Sequence, residues 1–185
     1  LLYKSVLKYI KEPCKILDLG CGSGYVGISI SKNISHKNQY YFSDVSNNAV
    51  KLTKNNCKSN NINSIVKKGS LFKPWKNYKF DFIVNDVSGI SEKIAEISPW
   101  YNKNISIKAG DDGTKLTLNL LDQASNYLNK SGKVFFPLIS LSNYKKVFSF
   151  AKKKFKKVKK IDSKEWPLPN EMYKHQKLIN KLEKD

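Results

Sequence analysis

Short apolar runs alternate with segments of helical spacing for most of the chain, the trace that a parallel sheet with crossover helices leaves in a sequence. Leu1, Leu2, Val6, Leu7 and Ile10 form an apolar stripe at helical spacing, so the first eleven residues read as a helix. Lys15 to Leu19 is a short strand that stops at a glycine-rich turn, and Tyr25 to Lys32 follows as a helix. Gln39 to Ser43 is a second strand, closed by Asp44, and Asn47 to Asn56 is a polar-faced helix. Ile65 to Lys68 is a weak third strand. Phe80 to Asn85 is a clear fourth one, and its apolar run suits a strand covered on both faces.

Asp86 to Thr114 holds three glycines, a proline and many polar residues, and so reads as a long loop of the kind that often carries function. Beyond it, Leu116 to Leu128 predicts a helix, Lys133 to Ile139 a fifth strand, Asn143 to Phe155 a helix and Lys157 to Ile161 a sixth strand. The tail from Asn170 to Glu183 carries Met172, His175, Leu178, Ile179 and Leu182 at helical spacing, with Asn170 placed to cap the first turn. No internal repeat and no linker interrupts the pattern, which predicts a single domain over residues 1–185.

Composition narrows the class. A chain of 185 residues with 40% hydrophobic content can bury one core, and no apolar run approaches the ~20 residues of a membrane span. With no signal-peptide pattern at the start, the expected compartment is the cytosol and the default state a monomer. The chain opens on Leu1 without an initiator Met, consistent with a truncated N-terminus. Cys14, Cys21 and Cys57 are too few and scattered for a disulfide framework or a zinc site, and His36 and His175 are isolated, so no metal is expected. The net charge of +19 points towards an anionic partner such as RNA. All the basic residues are lysine, however, and with abundant Asn and Ile this also matches a codon bias that raises lysine without functional cause. Lys152 to Lys160 is the densest cluster. It reads first as a solvated helix face, with no aromatic platform interleaved for stacking bases.

A strand ending at Gly20, Gly22 and Gly24 and running into a helix lets the backbone approach a nucleotide-like ligand closely. The same stretch also satisfies G-x-G-x-x-G through Gly22, Gly24 and Gly27, so a dinucleotide is the competing ligand. Asp18 discriminates by charge. A carboxylate two residues before the first glycine repels a pyrophosphate but attracts the ammonium and sulfonium of S-adenosylmethionine (SAM). Asp44 stands 20 residues after Gly24 at the end of the next strand, where an acid accepts hydrogen bonds from both ribose hydroxyls.

Ile16-Leu17-Asp18-Leu19-Gly20-Cys21-Gly22-Ser23-Gly24 resembles the first motif of class I SAM-dependent methyltransferases, and the wider frame is similar to the release-factor glutamine methyltransferases and their small-domain relatives. The resemblance implies SAM as cofactor and a Rossmann-like, doubly wound α/β fold, with a mostly parallel sheet of six or seven strands flanked by helices. It assigns Asp18, Gly20, Cys21, Gly22 and Gly24 to the methionine part and Asp44, with Val45, to the ribose side. Gly69-Ser70-Leu71-Phe72 is similar to a segment whose acid binds the adenine amine; here Ser70 replaces that acid and Leu71 remains to pack on the ring. Gly110-Asp111-Asp112-Gly113 also resembles that group. The tail departs from it, because Trp166-Pro167-Leu168-Pro169 leads into an atypical C-terminal helix where the class ends on an antiparallel strand.

Amide and ring-nitrogen methyltransferases carry Asn-Pro-Pro-aromatic after the fourth strand. Asn85 matches, whereas Asp86, Val87 and Ser88 do not. The expected chemistry is N-methylation of a protein (glutamine-type) or RNA acceptor, with Asn85 accepting a hydrogen bond from the nucleophile and Asp86 taking its proton. Asp86 equally suits the cap of a helix starting near Ser91. Trp100 and Tyr101 suit either a substrate pocket or an anchor of the long loop. Two other readings stand beside this one: an NAD-dependent oxidoreductase, and a catalytically inactive RNA- or ribosome-binding module on a methyltransferase scaffold.

Overall fold

The computed structural model describes the chain except His36, Ser88, residues 100–108 and Asp185, together with the side chains of residues 182–184. Trp100, Tyr101, His36 and Ser88 thus lie outside the described residues. Two compact units emerge: Leu1–Val87 with Gln123–Pro137, and Ser88–Asp122 with Leu138–Asp185.

The first unit holds a five-stranded, all-parallel sheet built from β1 (Lys15–Leu19), β2 (Gln39–Asp44), β3 (Ser64–Lys68), β4 (Phe80–Asn85) and β5 (Leu128–Phe135) in the order β3-β2-β1-β4-β5. The α/β class and Rossmann-like order are as the sequence predicts. β1, β2 and β4 are buried over nearly their whole lengths, with Ile16, Leu17, Phe42, Ile83 and Val84 at 1% exposure or less. α1 (Leu2–Leu7) lies against α2 (Tyr25–Lys32), and α3 (Asn47–Ser59) covers β2 and β3. Ser46 caps α3 by accepting from Ala49 N–H at 3.4 Å. Between β3 and β4 only a short 3-10 turn, Lys73–Trp75, makes the crossover. Aromatic rings do the covering there: Tyr41, Trp75, Tyr78 and Phe80 meet edge to face at 5.2 to 5.8 Å.

The second unit contains α4 (Glu92–Ile97), most of α5 (Lys115–Ala124), α6 (Tyr144–Lys154), α7 (Asn170–Tyr173) and α8 (Gln176–Lys184). Its core gathers Ile90, Ile94, Ala95, Leu141, Met172 and Ile179. Among the described residues no helix is long and apolar enough to cross a membrane.

Four expectations need correction. Lys157 to Ile161 forms no strand: lysines fill most of its positions, leaving only half-buried Val158 and Ile161 to set a face, so the described strands number five rather than six or seven. β5 begins earlier than expected and stops at Phe135, because Pro137 has no N–H to donate to a ladder. The stretch from Asp86 to Thr114 is not all loop, since it contains α4. The tail helix breaks at Lys174 and His175, and its first segment starts on Pro169, with Asn170 inside the helix and no side-chain cap.

Candidate functional site

The strand order reverses between β1 and β4, and parallel pairing sets Leu19 beside both Ser43 and Asn85. The carboxyl ends of β1, β2 and β4 therefore share one level, the place where open α/β sheets bind ligands. Gly20, Cys21, Gly22, Gly24, Asp44, Val45, Asn85 and Asp86 all follow or close those strand ends.

The loop after β1 is held from several sides. Gly20 and Cys21 N–H both donate to the Ser43 carbonyl, at 2.8 and 3.1 Å, and Gly24 N–H donates to Cys21 O at 2.7 Å. Gly20, Gly22 and Gly24 have φ of +66°, +55° and +79°, so the turn alternates through left-handed positions that suit glycine. At Gly22 a Cβ would meet nothing within 4 Å, so its open face is where a ligand can approach bare backbone. At Gly27 the demand is the opposite. A Cβ would lie 2.4 Å from the Phe42 ring and 3.2 Å from Asp18 Oδ2, so only glycine lets the first turn of α2 close on the sheet.

That closure fixes Asp18. Its side chain is buried at 2% exposure and Oδ2 accepts from Gly27 N–H at 2.9 Å. Desolvation pushes its carboxyl up to about 8; the Gly27 bond opposes this, and the nearby negative charges of Asp86 and Asp44 reinforce it. Asp44 is only partly buried, and its Oδ2 accepts from Gly22 N–H at 3.0 Å while Oδ1 accepts from Ser46 N–H at 2.8 Å. Each oxygen keeps a second lone pair. Asp86 is exposed as a residue, and partial desolvation of its carboxyl by the surrounding protein raises it above the ordinary value. Asp44 and Asp86 thus set negative charge beside the buried Asp18 carboxyl around one glycine loop, a site for a cation and a poor one for a pyrophosphate. Cys21 is buried beside Thr53, with its thiol pushed up to about 12 by that burial, so it stays neutral and packs as a small apolar group.

Asn85, at 1% exposure, donates from Nδ2 to Leu19 O at 3.4 Å and accepts at Oδ1 from Val87 N–H at 3.3 Å. In an Asn-Pro-Pro motif the third position has no N–H. Here Val87 supplies one, and it occupies one lone pair of the oxygen expected to face a nucleophile. Val87 also leans over the loop, with Cγ1 at 2.1 Å from where a Gly20 Cβ would be. The N-cap of α4 is Ser91, so Asp86 does not serve as that cap.

Ser70 is exposed, and Leu71 adopts a left-handed φ of +46°, a strained geometry for a branched residue, just after Gly69 N–H donates to Asp44 O at 2.9 Å. Phe72 is fully buried and stacks on Tyr127 at 4.3 Å, which anchors the turn. Val45, at 63% exposure, is an apolar side chain left in solvent beside Asp44.

Sequence reading missed the residues behind the loop. Thr53 Oγ1 donates to Gly22 O at 2.9 Å and Asn56 Nδ2 donates to Ser23 O at 2.8 Å, from positions three apart on one face of α3. Trp75 Nε1 donates to Ser43 Oγ at 2.9 Å, bracing the residue whose carbonyl holds the loop. The helical pattern did hint at Thr53, a polar residue among the apolar positions of α3, but nothing local names its partner. A surface depression of about 390 Å³ involving Lys54, Cys57, Ile62 and Val66 shares no residue with the loop. Among the described residues no group of His, Cys, Asp or Glu is placed to hold a metal ion.

Residues 2–86 match the family model described as methyltransferase small domain. Over 128 residues, 66% of this chain, the sequence is 28% identical to the ribosomal protein uL3 glutamine methyltransferase of Francisella tularensis, of which it covers 40%. Over 138 residues, 71% of the chain, it is 31% identical to the release factor glutamine methyltransferase of Aquifex aeolicus, of which it covers 49%. The chain thus spans less than half of either relative. Among solved structures, a methyltransferase from Pyrococcus furiosus superimposes with a TM-score of 0.58 at 18% identity, over 82% of this chain and 68% of that one. At that identity the likeness speaks to fold alone. The resemblance to class I SAM-dependent methyltransferases, read from the first motif, is borne out by these matches.

Proposed function

We propose that this chain, with a methyltransferase small domain over residues 2–86 as its cofactor-binding part, acts as one SAM-dependent methyltransferase domain that N-methylates a macromolecular acceptor. The observation that carries the reading is the buried Asp18 beneath a turn of three left-handed glycines, with Asp44 and Asp86 adding negative charge to the same site. When bound, SAM supplies an electrophilic methyl group on a cationic sulfur. Asp18, Gly20, Cys21, Gly22 and Gly24 would hold its methionine part, and the spare lone pairs of Asp44 would accept from the ribose hydroxyls. Val45 would lie beside the ribose, and Ser70 and Leu71 would border the adenine.

Methyl transfer is an in-line displacement, so most of the acceleration comes from placing the acceptor nitrogen on the axis of the bond being broken. The nitrogen's lone pair forms the new bond to carbon while the old bonding pair stays on sulfur. Asn85, tied to Leu19 and Val87, holds the strand end and offers its remaining lone pair to an acceptor N–H. Asp86 takes the proton that the nitrogen sheds; its raised carboxyl makes it a better base than an ordinary aspartate. The named activities of the relatives support an acceptor in the translation machinery, a glutamine amide in a protein foremost, and a cytoplasmic setting.

Calorimetry tests the cofactor: SAM binds at micromolar concentration and NADH does not. Labelled SAM incubated with an extract of cells lacking the protein then shows whether label enters protein, RNA or small molecules. Absence of SAM binding overturns the reading.

A further inference from the structure

We infer that α6 and the extended segment that follows it form an RNA-binding face of this chain. The inference rests on the methyltransferase reading only in so far as that RNA presents the acceptor. Lysine makes up 34 of 185 residues overall but seven of nine from Lys152 to Lys160, with no acidic residue between Asp122 and Asp162. A chain-wide codon bias raises lysine everywhere. It does not clear carboxylates from one stretch while leaving ten of the fifteen in the second unit, where the face lies.

The charge is presented, not spent. Lys152, Lys153, Lys156, Lys157, Lys159 and Lys160 are all exposed. The ion pairs at Lys146 with Asp112, at 2.7 Å, and at Lys154 with Asp122 involve none of these six. α6 turns Val147 and Ala151 inward, so its outer side carries the lysines; from Phe155 the chain leaves the helix and continues without regular structure to Pro169.

No aromatic platform is interleaved with the run, but aromatic rings flank it. Lys152 Nζ lies 4.7 Å from the centre of the Phe148 ring, Lys154 Nζ lies 5.5 Å from Phe150, and Lys164 Nζ lies 4.1 Å from Trp166. Trp166 is 66% exposed, an expanse of π-surface left in solvent beside a cation. Phosphates taken by lysines and a base stacked on an indole are how proteins hold single-stranded nucleic acid. An anionic membrane fits less well. Among the described residues, Val147 and Ala151 of α6 and Ile179 of α8 are turned into the core of their own unit and are not offered to a bilayer.

The test uses the full chain and a fluorescein-labelled 20-nucleotide single-stranded RNA of mixed sequence, read by anisotropy as salt is raised. Six phosphate contacts give a slope of log affinity against log salt of about −4. Lys152, Lys153, Lys156, Lys157, Lys159 and Lys160 all changed to Gln should flatten that slope and weaken binding at least tenfold. The same six-fold change at Lys4, Lys8, Lys32, Lys51, Lys54 and Lys58, which are equally exposed, should leave both close to wild type. Trp166→Ala should weaken binding about tenfold with the slope unchanged. Equal losses in the two six-site variants would overturn the inference, as would wild-type protein that binds phosphatidylserine vesicles and not RNA. Melting temperatures confirm that each variant folds. SAM titration of the same preparations reads the cofactor site separately, so a failure of RNA binding and a failure of SAM binding are distinct results.

Discussion

Asp18→Asn separates what the buried acid does for the ligand from what it costs the fold. In the unfolded chain the carboxyl ionises near 3.8, whereas in the folded chain burial delays ionisation to about 8. Between those values the folded state holds a proton that the unfolded state has lost. The stability this contributes is fully present below pH 4 and is lost as pH rises through 8, at about 1.4 kcal/mol per pH unit. From pH 6 to pH 8 the wild type should lose about 2 kcal/mol, equivalent to roughly 5 to 8 °C in melting temperature for a chain of this size. The asparagine keeps the acceptor for Gly27 N–H but cannot ionise, so its own cost is the same at every pH and the diagnostic quantity is the slope. Thermal or urea unfolding of both proteins at pH 6, 7 and 8 should give curves that diverge: the wild type falls and the variant stays level. Bound SAM should restore wild-type stability most at pH 8, because a cation favours the ionised carboxyl. Parallel curves for the two proteins would refute the assignment of Asp18 as a buried acid with a displaced titration.

The cofactor itself should report the same linkage: wild-type affinity for SAM rises by up to about tenfold per pH unit between pH 6 and 7.5, where the amino group of the ligand remains charged, and Asp18→Asn removes that dependence, as calorimetry at three pH values will show. Gly22→Ala places a methyl group in the open face of the loop at φ +55°, which should cost ~1 to 2 kcal/mol of stability and abolish SAM binding while the circular dichroism of the fold is retained. Thr53→Val deletes the hydroxyl that holds the Gly22 carbonyl; about 1 kcal/mol of stability and a five- to tenfold loss of SAM affinity are expected, with an unchanged SAM affinity arguing against any role in shaping the loop. Asn85→Ala should lower kcat more than it raises the Kd for SAM, and a variant that methylates at the wild-type rate would remove Asn85 from the acceptor site.

β1, α2 and β4 lie where the apolar pattern puts them, because strand period, helix period and a glycine turn are local properties that nearby residues impose on one another. The motif from Ile16 to Gly24 was likewise enough to name the cofactor class, since charge and left-handed backbone are both encoded within nine residues. Pairing partners are not local. Lys157 to Ile161 has some strand character but acquires no neighbour, and β5 was misplaced because its register depends on β4, some 50 residues away. The support behind the loop belongs to the same class. Thr53 and Asn56 reach Gly22 and Ser23 across 31 and 33 positions, and no spacing rule connects them. Asn85 shows the limit most clearly: the sequence placed it at the end of β4, but only the folded chain shows Val87 N–H on its oxygen. Asp18 shows the converse, since its identity chose the ligand while the burial that raises its ionisation to about 8 exists only once β1, β2 and α2 have closed around it. Residue type and short-range period decide which elements and which ligand charge are available. Desolvation and long-range hydrogen bonds decide what each side chain can do there, because both are created by packing segments that the chain order keeps apart.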